Sequence, residues 1–255
     1  GGAKPFLFTE QKDTAKTDKN TSQVWEQIIR YMMAANRSGL INLCPSSTPE
    51  CRAGCLGHTS GRLKFNGQQR AQYIRTLFMV TDPLNFHIFE LGDAAKHARR
   101  IHKKGYKAAD RHNGTSDIAY EAATWYMDCL ARVGIDVMFD YTAITERGRG
   151  WIETDSDMPY HLTASTKETT HPSAVTPTSY TVVDVAKGQA LPDTYNGYPV
   201  ADGDKTDMRF LDEPGHVTLG RAKGGLVGLV GADDTFVKGH RYLTTARRRL
   251  TVVAV

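Results

Sequence analysis

Within twenty residues, from Leu43 to Arg62, the chain reads L-C-P-S-S-T-P-E-C-R-A-G-C-L-G-H-T-S-G-R, and this stretch constrains its fold more than any other. Cys44, Cys51 and Cys55 follow a C-x6-C-x3-C pattern, while the fourth cysteine lies far away at Cys129. Pro45, Pro49, Gly54, Gly57 and Gly61 break the stretch into turns, which lets the sulfurs point inward. Thiolates grouped on one short loop are the ligands that both zinc and iron–sulfur clusters select. The rest of the chain must therefore present this loop where it can close around something.

Several readings fit the loop. A disulfide plus a free thiol suits a secreted chain, but no charged, apolar and cleavable leader is evident, and three clustered cysteines leave an odd one over. A structural zinc with His58 as fourth ligand completes a Cys3His set, C-x6-C-x3-C-x2-H. A cluster held by three cysteines, with one iron open to a different ligand, accounts for the missing fourth thiol and is the preferred reading. The remaining option is a loop without metal.

The composition narrows the class. At 255 residues, with 40% hydrophobic and 24% charged residues, the chain reads as one large α/β domain. No run approaches the roughly 18 apolar residues that a membrane span needs, so no membrane association is expected. The net charge of +4, with basic clusters at His97–Lys104 and Arg247–Arg249, permits nucleic-acid binding without requiring it. Few cysteines, mostly in one cluster, point to a reducing cytoplasm.

Taken in order, residues 1–20 read as a flexible N-terminal segment and 21–255 as a single barrel-like domain. Val24, Ile28, Ile29, Met32 and Met33 recur at helical spacing, with Ser22 as N-cap and Gly39 as stop, and the two methionines read as packing. Leu40–Leu43 is the first strand expected, directly before the cysteine loop. Helices are expected over Gln68–Val80, over Pro83–Lys104, where Asp82 caps and Gly105 stops, and over Tyr120–Val133. Further strands are expected over Lys107–His112, Ile135–Phe139, Tyr160–Ala164, Tyr180–Val185 and His216–Arg221.

Six strands separated by helical or long irregular stretches argue for parallel βα units. The fold expected is a partial (β/α)6 TIM-like barrel, and in such barrels the chemistry gathers on the loops after the strands. That assumption brings the cysteine loop to one mouth with Asn113, Asp117, Asp140, Tyr141, Lys167 and Lys223. Asp117 and Asp140 would be acid–base candidates there, although each equally suits a helix cap. The acidic run Asp202, Asp204, Asp207 and Asp212, with Arg209, does not match a calcium loop and reads as a solvated turn. Cys129 reads as a small buried hydrophobe on a helix. No P-loop, G-x-S-x-G elbow or H-E-x-x-H helix is present, and Gly224–Gly231 reads as a flexible hairpin.

The run from Cys44, together with N-G-Q-Q-R at Asn66–Arg70, N-G-T-S-D at Asn113–Asp117, Asp140-Tyr141-Thr142, Asn196–Asp204, Thr206-Asp207, Arg209 and Ala222-Lys223-Gly224, resembles the actinobacteriophage "gene product 88" domain family. That resemblance covers nearly all of the chain after about Leu40 and implies a phage protein, acting in the bacterial host's cytoplasm, without an assigned reaction. A cysteine loop after a first strand is also similar in placement to the radical S-adenosylmethionine superfamily, which implies a partial six-stranded barrel with a three-cysteine [4Fe-4S] cluster. The chain departs from that superfamily's C-x3-C-x2-C spacing and lacks a Gly-Gly-Glu stretch after the second strand. The departure leaves a cluster expected and S-adenosylmethionine binding without support.

The function expected is thus an iron–sulfur protein whose open iron binds a small molecule or exchanges an electron with it. The alternative is a zinc-stapled module that binds nucleic acid or a host protein through its basic clusters.

Overall fold

Six strands of this chain pair parallel in the order in which they occur along it. The computed structural model describes residues 7–13, 22, 24–53, 55–59, 61–166, 174–183, 185 and 188–221. In chain order the elements are β1 (Phe8–Glu10), β2 (Trp25–Arg30), α1 (Pro49–Ala53), α2 (Leu56–Thr59), α3 (Asn66–Thr81), α4 (Pro83–Lys103), β3 (Lys107–Arg111), α5 (Thr124–Arg132), β4 (Val137–Thr142), β5 (Gly150–Ile152), β6 (Tyr160–Ser165), β7 (Ser179–Val183), β8 (Thr194–Tyr195), β9 (Tyr198–Asp202) and β10 (Val217–Arg221). Across the sheet the order is β1-β2-β3-β4-β6-β7-β10-β9-β8, with β5 paired to β6. From β2 to β9 along this path every pairing is parallel, while β1, β5 and β8 pair antiparallel. The path ends at β1 and β8, so the sheet is open and is not a closed barrel.

Five of the expected strands correspond to β3, β4, β6, β7 and β10. The first does not. Leu40–Leu43 forms no strand: Leu40 and Ile41 are exposed, the Ser38 hydroxyl accepts from Leu40 N at 3.1 Å, and Leu43 N donates to Ala35 O at 3.1 Å. A serine bonding the backbone two residues on offers the chain a turn in place of a ladder. The first parallel strand is instead β2, inside the segment read as a helix. Glu26 through Arg30 are all buried, with Ile28 packed in the main core and Ile29 packed with Tyr31 and Leu63. A strand buried on both faces loses its two-residue alternation, and its apolar residues then match a helical spacing by accident. Ser22, expected as an N-cap, accepts from Val24 N at 3.2 Å and Trp25 N at 3.0 Å and so turns the chain into this strand.

The N-terminal segment also needs correction. Leu7 and Phe8, within the residues 1–20 expected to be flexible, are buried, and their amides donate to Asp93 of α4 at 2.9 and 3.1 Å. β1 therefore belongs to the domain.

The helices follow the sequence closely. Asp82 accepts from Asn85 N, Pro83 occupies the first turn of α4, and Gly105 takes the positive φ of 84° that ends the basic last turn. The helix expected over Tyr120–Val133 splits into a short 3-10 turn at Tyr120–Ala122 and then α5. Helix α4 lays Phe86, Ala94, Ala98 and Ile101 on a core that includes Ile28, Met32, Ala108, Met138 and Leu162. Full burial of each large apolar side chain stabilises the fold by roughly 1.5–3 kcal/mol. Opposite α4, Ala109, Val137 and Phe139 pack with Met208, and Phe210 of the 3-10 helix Arg209–Leu211 stacks near Trp25 and Phe139. The middle of the sheet is thus covered on both sides.

Candidate metal centre

The cysteine loop lies at the C-terminal end of β2, between that strand and α3. Local turn chemistry arranges its thiols. Asn42 Oδ1 accepts from Cys44 N at 3.0 Å, and the Thr48 hydroxyl accepts from Cys51 N at 3.0 Å, which caps α1 with Pro49 in its first position. The Cys55 sulfur accepts from Gly57 N at 3.4 Å. The Cys44 thiol donates to Thr115 O at 3.5 Å, on the loop after β3. Gly57 allows that approach, because a Cβ there would stand 2.9 Å from the Thr115 methyl. Both Gln69 and Gln72 of α3 donate to the Gly57 carbonyl, at 3.1 and 3.0 Å.

Burial pushes the Cys44 thiol up to about 12, the Ala35 backbone works against it, and Cys55, Asp117 and Cys51 push it further. Cys51 and Cys55 thus both lie within electrostatic reach of Cys44. Their donor chemistry fits a soft metal or an iron–sulfur cluster, since a cation would reverse the penalty that neighbouring thiolates impose on Cys44. Among the described residues no three His, Cys, Asp or Glu side chains stand together as a metal-holding group. His58, the candidate zinc ligand, is half-buried on α2, and its amide donates to Cys55 O at 3.1 Å.

The Asn113–Asp117 turn joins this loop to three strand ends. Asp117 N donates to Leu43 O at 2.7 Å, Gly114 N to Arg30 O at 3.0 Å, and the Thr115 hydroxyl to Met32 O at 2.6 Å. Asn113 donates from N and Nδ2 to the Asp140 carboxylate at 2.6 and 3.0 Å, while its Oδ1 accepts from Ser116 and Ile118. Asp117 accepts from Ala143 N at 2.8 Å and from Arg147 at 2.6 Å, and Arg147 also holds Glu121 through two bonds. The turn thus meets the cysteine loop through Thr115 and Asp117, while the Asn113 side chain is engaged with Asp140, Ser116 and Ile118.

The other expected mouth residues separate. Asp140 is fully buried on the α4 side, where burial raises it to about 6 against the bonds from Asn113 and Tyr160. Tyr141 points to the opposite face, as its neighbouring position in a strand demands, and donates to Asp207 O at 2.9 Å beneath the Arg111 guanidinium. Lys167 and Lys223 lie outside the described residues, as do Gly224–Gly231 and Arg247–Arg249. Cys129 is half-buried on α5. The acidic run is not a solvated turn: Asp207 is buried against Arg111, Asp202 and Asp204 pair with Arg221, and Asp212 pairs with Arg209. In the basic stretch at the end of α4, Arg100 pairs with Glu10 and Glu26, Lys104 with Glu26, and His102 with Asp136.

Sequence reasoning missed a buried polar network beneath the turn. Arg30 bonds Glu90 Oε1 at 2.6 Å and the Tyr120 hydroxyl at 2.5 Å, and Tyr126 donates to Glu90 Oε2. His112 sits 2.7 Å from Asp110 and 3.6 Å from Glu90. Burial works against ionising Glu90, but Arg30 and His112 outweigh it and hold Glu90 well below the usual carboxylate range. Burial and Arg30 lower His112, while Asp110 and Glu90 outweigh both and raise it to about 9. The available signal was the polar character of Lys107–His112 inside an otherwise apolar sheet.

His112 predicts a pH dependence of folding. Its native value of about 9 exceeds the ordinary 6.5, so its stabilisation is complete below pH 6.5 and is lost as pH rises through 9. Urea unfolding should show stability declining by up to about 1.4 kcal/mol per pH unit across that window, and His112→Gln should flatten the decline. A wild-type profile that stays level from pH 6.5 to 9 contradicts this account.

No curated protein and no solved structure matches the chain. The family model described as "Gene product 88" matches residues 6–246, a span that includes the cysteine loop, the Asn113–Asp117 turn and all ten strands. The chain belongs to the gene product 88 family.

Proposed function

We propose that this is a bacteriophage protein of the host cytoplasm in which Cys44, Cys51 and Cys55 hold an iron–sulfur cluster, of the [4Fe-4S] type, at the rim of a partial (β/α)6 barrel. The observation that carries the reading is the placement of three cysteines on a single loop after the first of six parallel strands taken in chain order, with Cys44 half-buried and hydrogen-bonded to the neighbouring Thr115 loop. Parallel strands taken in chain order bring successive C-terminal loops side by side, which supports a shared rim for the cysteine loop and the Asn113–Asp117 turn. A cluster held by three cysteines supplies an iron that binds a substrate oxygen or nitrogen, or exchanges an electron with it. Within the chain, the bond from the protonated Cys44 thiol to Thr115 O would give way as the thiolate takes a metal, while Asp117, held by Arg147, anchors Leu43 next to it.

The test is iron and acid-labile sulfide analysis, with a visible spectrum, on protein purified without oxygen. Iron with matching sulfide is expected in the wild type and is expected to vanish when all three cysteines become alanine. Iron content and absorbance unchanged in the triple variant would end the proposal. A second reading, a zinc-stapled module that binds nucleic acid or a host protein, draws on His58, which follows Cys55 by three residues and completes a Cys3His set. A colourless protein with one equivalent of zinc, lost in His58→Ala, would favour it. Nucleic-acid affinity falling steeply with salt would then identify the partner class.

A further inference from the structure

We propose that the sheet face opposite α4 carries an oxyanion subsite, for a carboxylate or phosphate group of a small molecule, built from Arg111, Arg209 and Thr163. This subsite does not depend on the cysteines holding a metal.

Its elements come from strand alternation and from the segment between β9 and β10. The Arg111 guanidinium lies 4.7 Å over the Tyr141 ring, Tyr141 pairs in register with Thr163, and the Tyr141 and Tyr180 rings meet edge to face at 5.7 Å. The segment before β10 brings in Asp207, whose carbonyl accepts from the Tyr141 hydroxyl, and Arg209. Arg111 shares a 3.3 Å contact with Asp207, and Arg209 a 3.3 Å contact with Asp212 plus a bond to Thr206 O. Each guanidinium thus already meets one carboxylate. Arg111 Nε and Arg209 Nε remain buried without a hydrogen-bond partner, and so does the hydroxyl of Thr163, a residue only 1% exposed.

Buried polar groups in folded proteins are almost always paired, because an unmet donor bears its full desolvation cost. Two of these three are guanidinium N–H groups, which can only donate, and they stay charged in a low-dielectric setting. The partner that satisfies them is an acceptor, and an oxyanion offers several acceptor atoms at once. Arg111, Tyr141, Ser165 and Tyr180 are half-buried and would form the rim of the subsite, while the buried Thr163 and Arg209 would form its floor. Arg111 ends β3 and Ser165 ends β6, so the rim faces the same end of the sheet as the cysteine loop.

Isothermal titration of the full chain with inorganic phosphate, and separately with succinate, at ionic strength held constant with chloride, tests the subsite. Saturable one-site binding of at least one anion is expected, and which anion binds identifies the group recognised. Arg111→Gln, at the rim, should weaken that binding by about tenfold or more, and Thr163→Val by a smaller factor. Absence of saturable binding of both anions to the wild type overturns the proposal, and so does wild-type affinity in a folded Arg111→Gln protein. The wild-type titration decides the matter even where Arg209 variants fail to fold. Because Cys44→Ala leaves every group of the subsite in place, binding should persist in that variant.

Discussion

Replacing Arg30 with methionine is expected to cost about 3–5 kcal/mol of folding stability, because it strands the Glu90 carboxylate in the core. Both side chains are fully buried and meet at 2.6 Å. Methionine fills most of the arginine stem's volume, so the loss reflects charge more than packing. Tyr126, His87 and His112 still donate to or face Glu90, but none supplies the permanent charge that a guanidinium does. The companion variant Arg30→Met with Glu90→Gln removes the stranded charge and should recover part of the loss. Urea unfolding of wild type, single and double variants measures both effects. A single-variant loss below about 1 kcal/mol would mean that the pair is not the electrostatic anchor described here.

Gly114→Ala should be nearly as damaging, at about 3 kcal/mol, the upper end of what overpacking costs. An added Cβ would stand 2.4 Å from the Arg30 carbonyl, 2.6 Å from Ile29 Cγ2 and 2.9 Å from Tyr31. The first of these is backbone of β2 and cannot rotate away. The same glycine donates to that carbonyl, so the clash also pulls the turn off the strand end and moves Thr115 away from Cys44. Gly67→Ala in α3 is the control: nothing lies within 4 Å of its added Cβ, and a helical glycine replaced by alanine should gain about 0.5–1 kcal/mol. Thermal unfolding that shifts equally for the two variants would contradict the close approach described at Gly114.

Strand pattern and punctuation carried most of the architecture. Val137–Thr142, Tyr160–Ser165 and Val217–Arg221 are apolar enough and well enough bounded to be read directly, and Asp82-Pro83 with Gly105 brackets α4 without any tertiary information. β2 was not readable, because burial on both faces removes the alternation that marks a strand and leaves a spacing that a helix shares. The opposite destinations of Asp140 and Tyr141 follow from a period of two, yet which face is core depends on where α4 lies.

Local chemistry in the chain determined the turns that hold Cys44, Cys51 and Cys55, since serine, threonine, asparagine, proline and glycine act on their immediate neighbours. The company those thiols keep was decided only by the tertiary structure. Asn113 and Asp117 lie some seventy residues from Cys44 in sequence, and Arg30 lies 60 residues from Glu90. Parallel pairing sets the ends of β2 and β3 side by side irrespective of the length of chain between them, and the packing of α4 on the sheet sets Glu90 against Arg30.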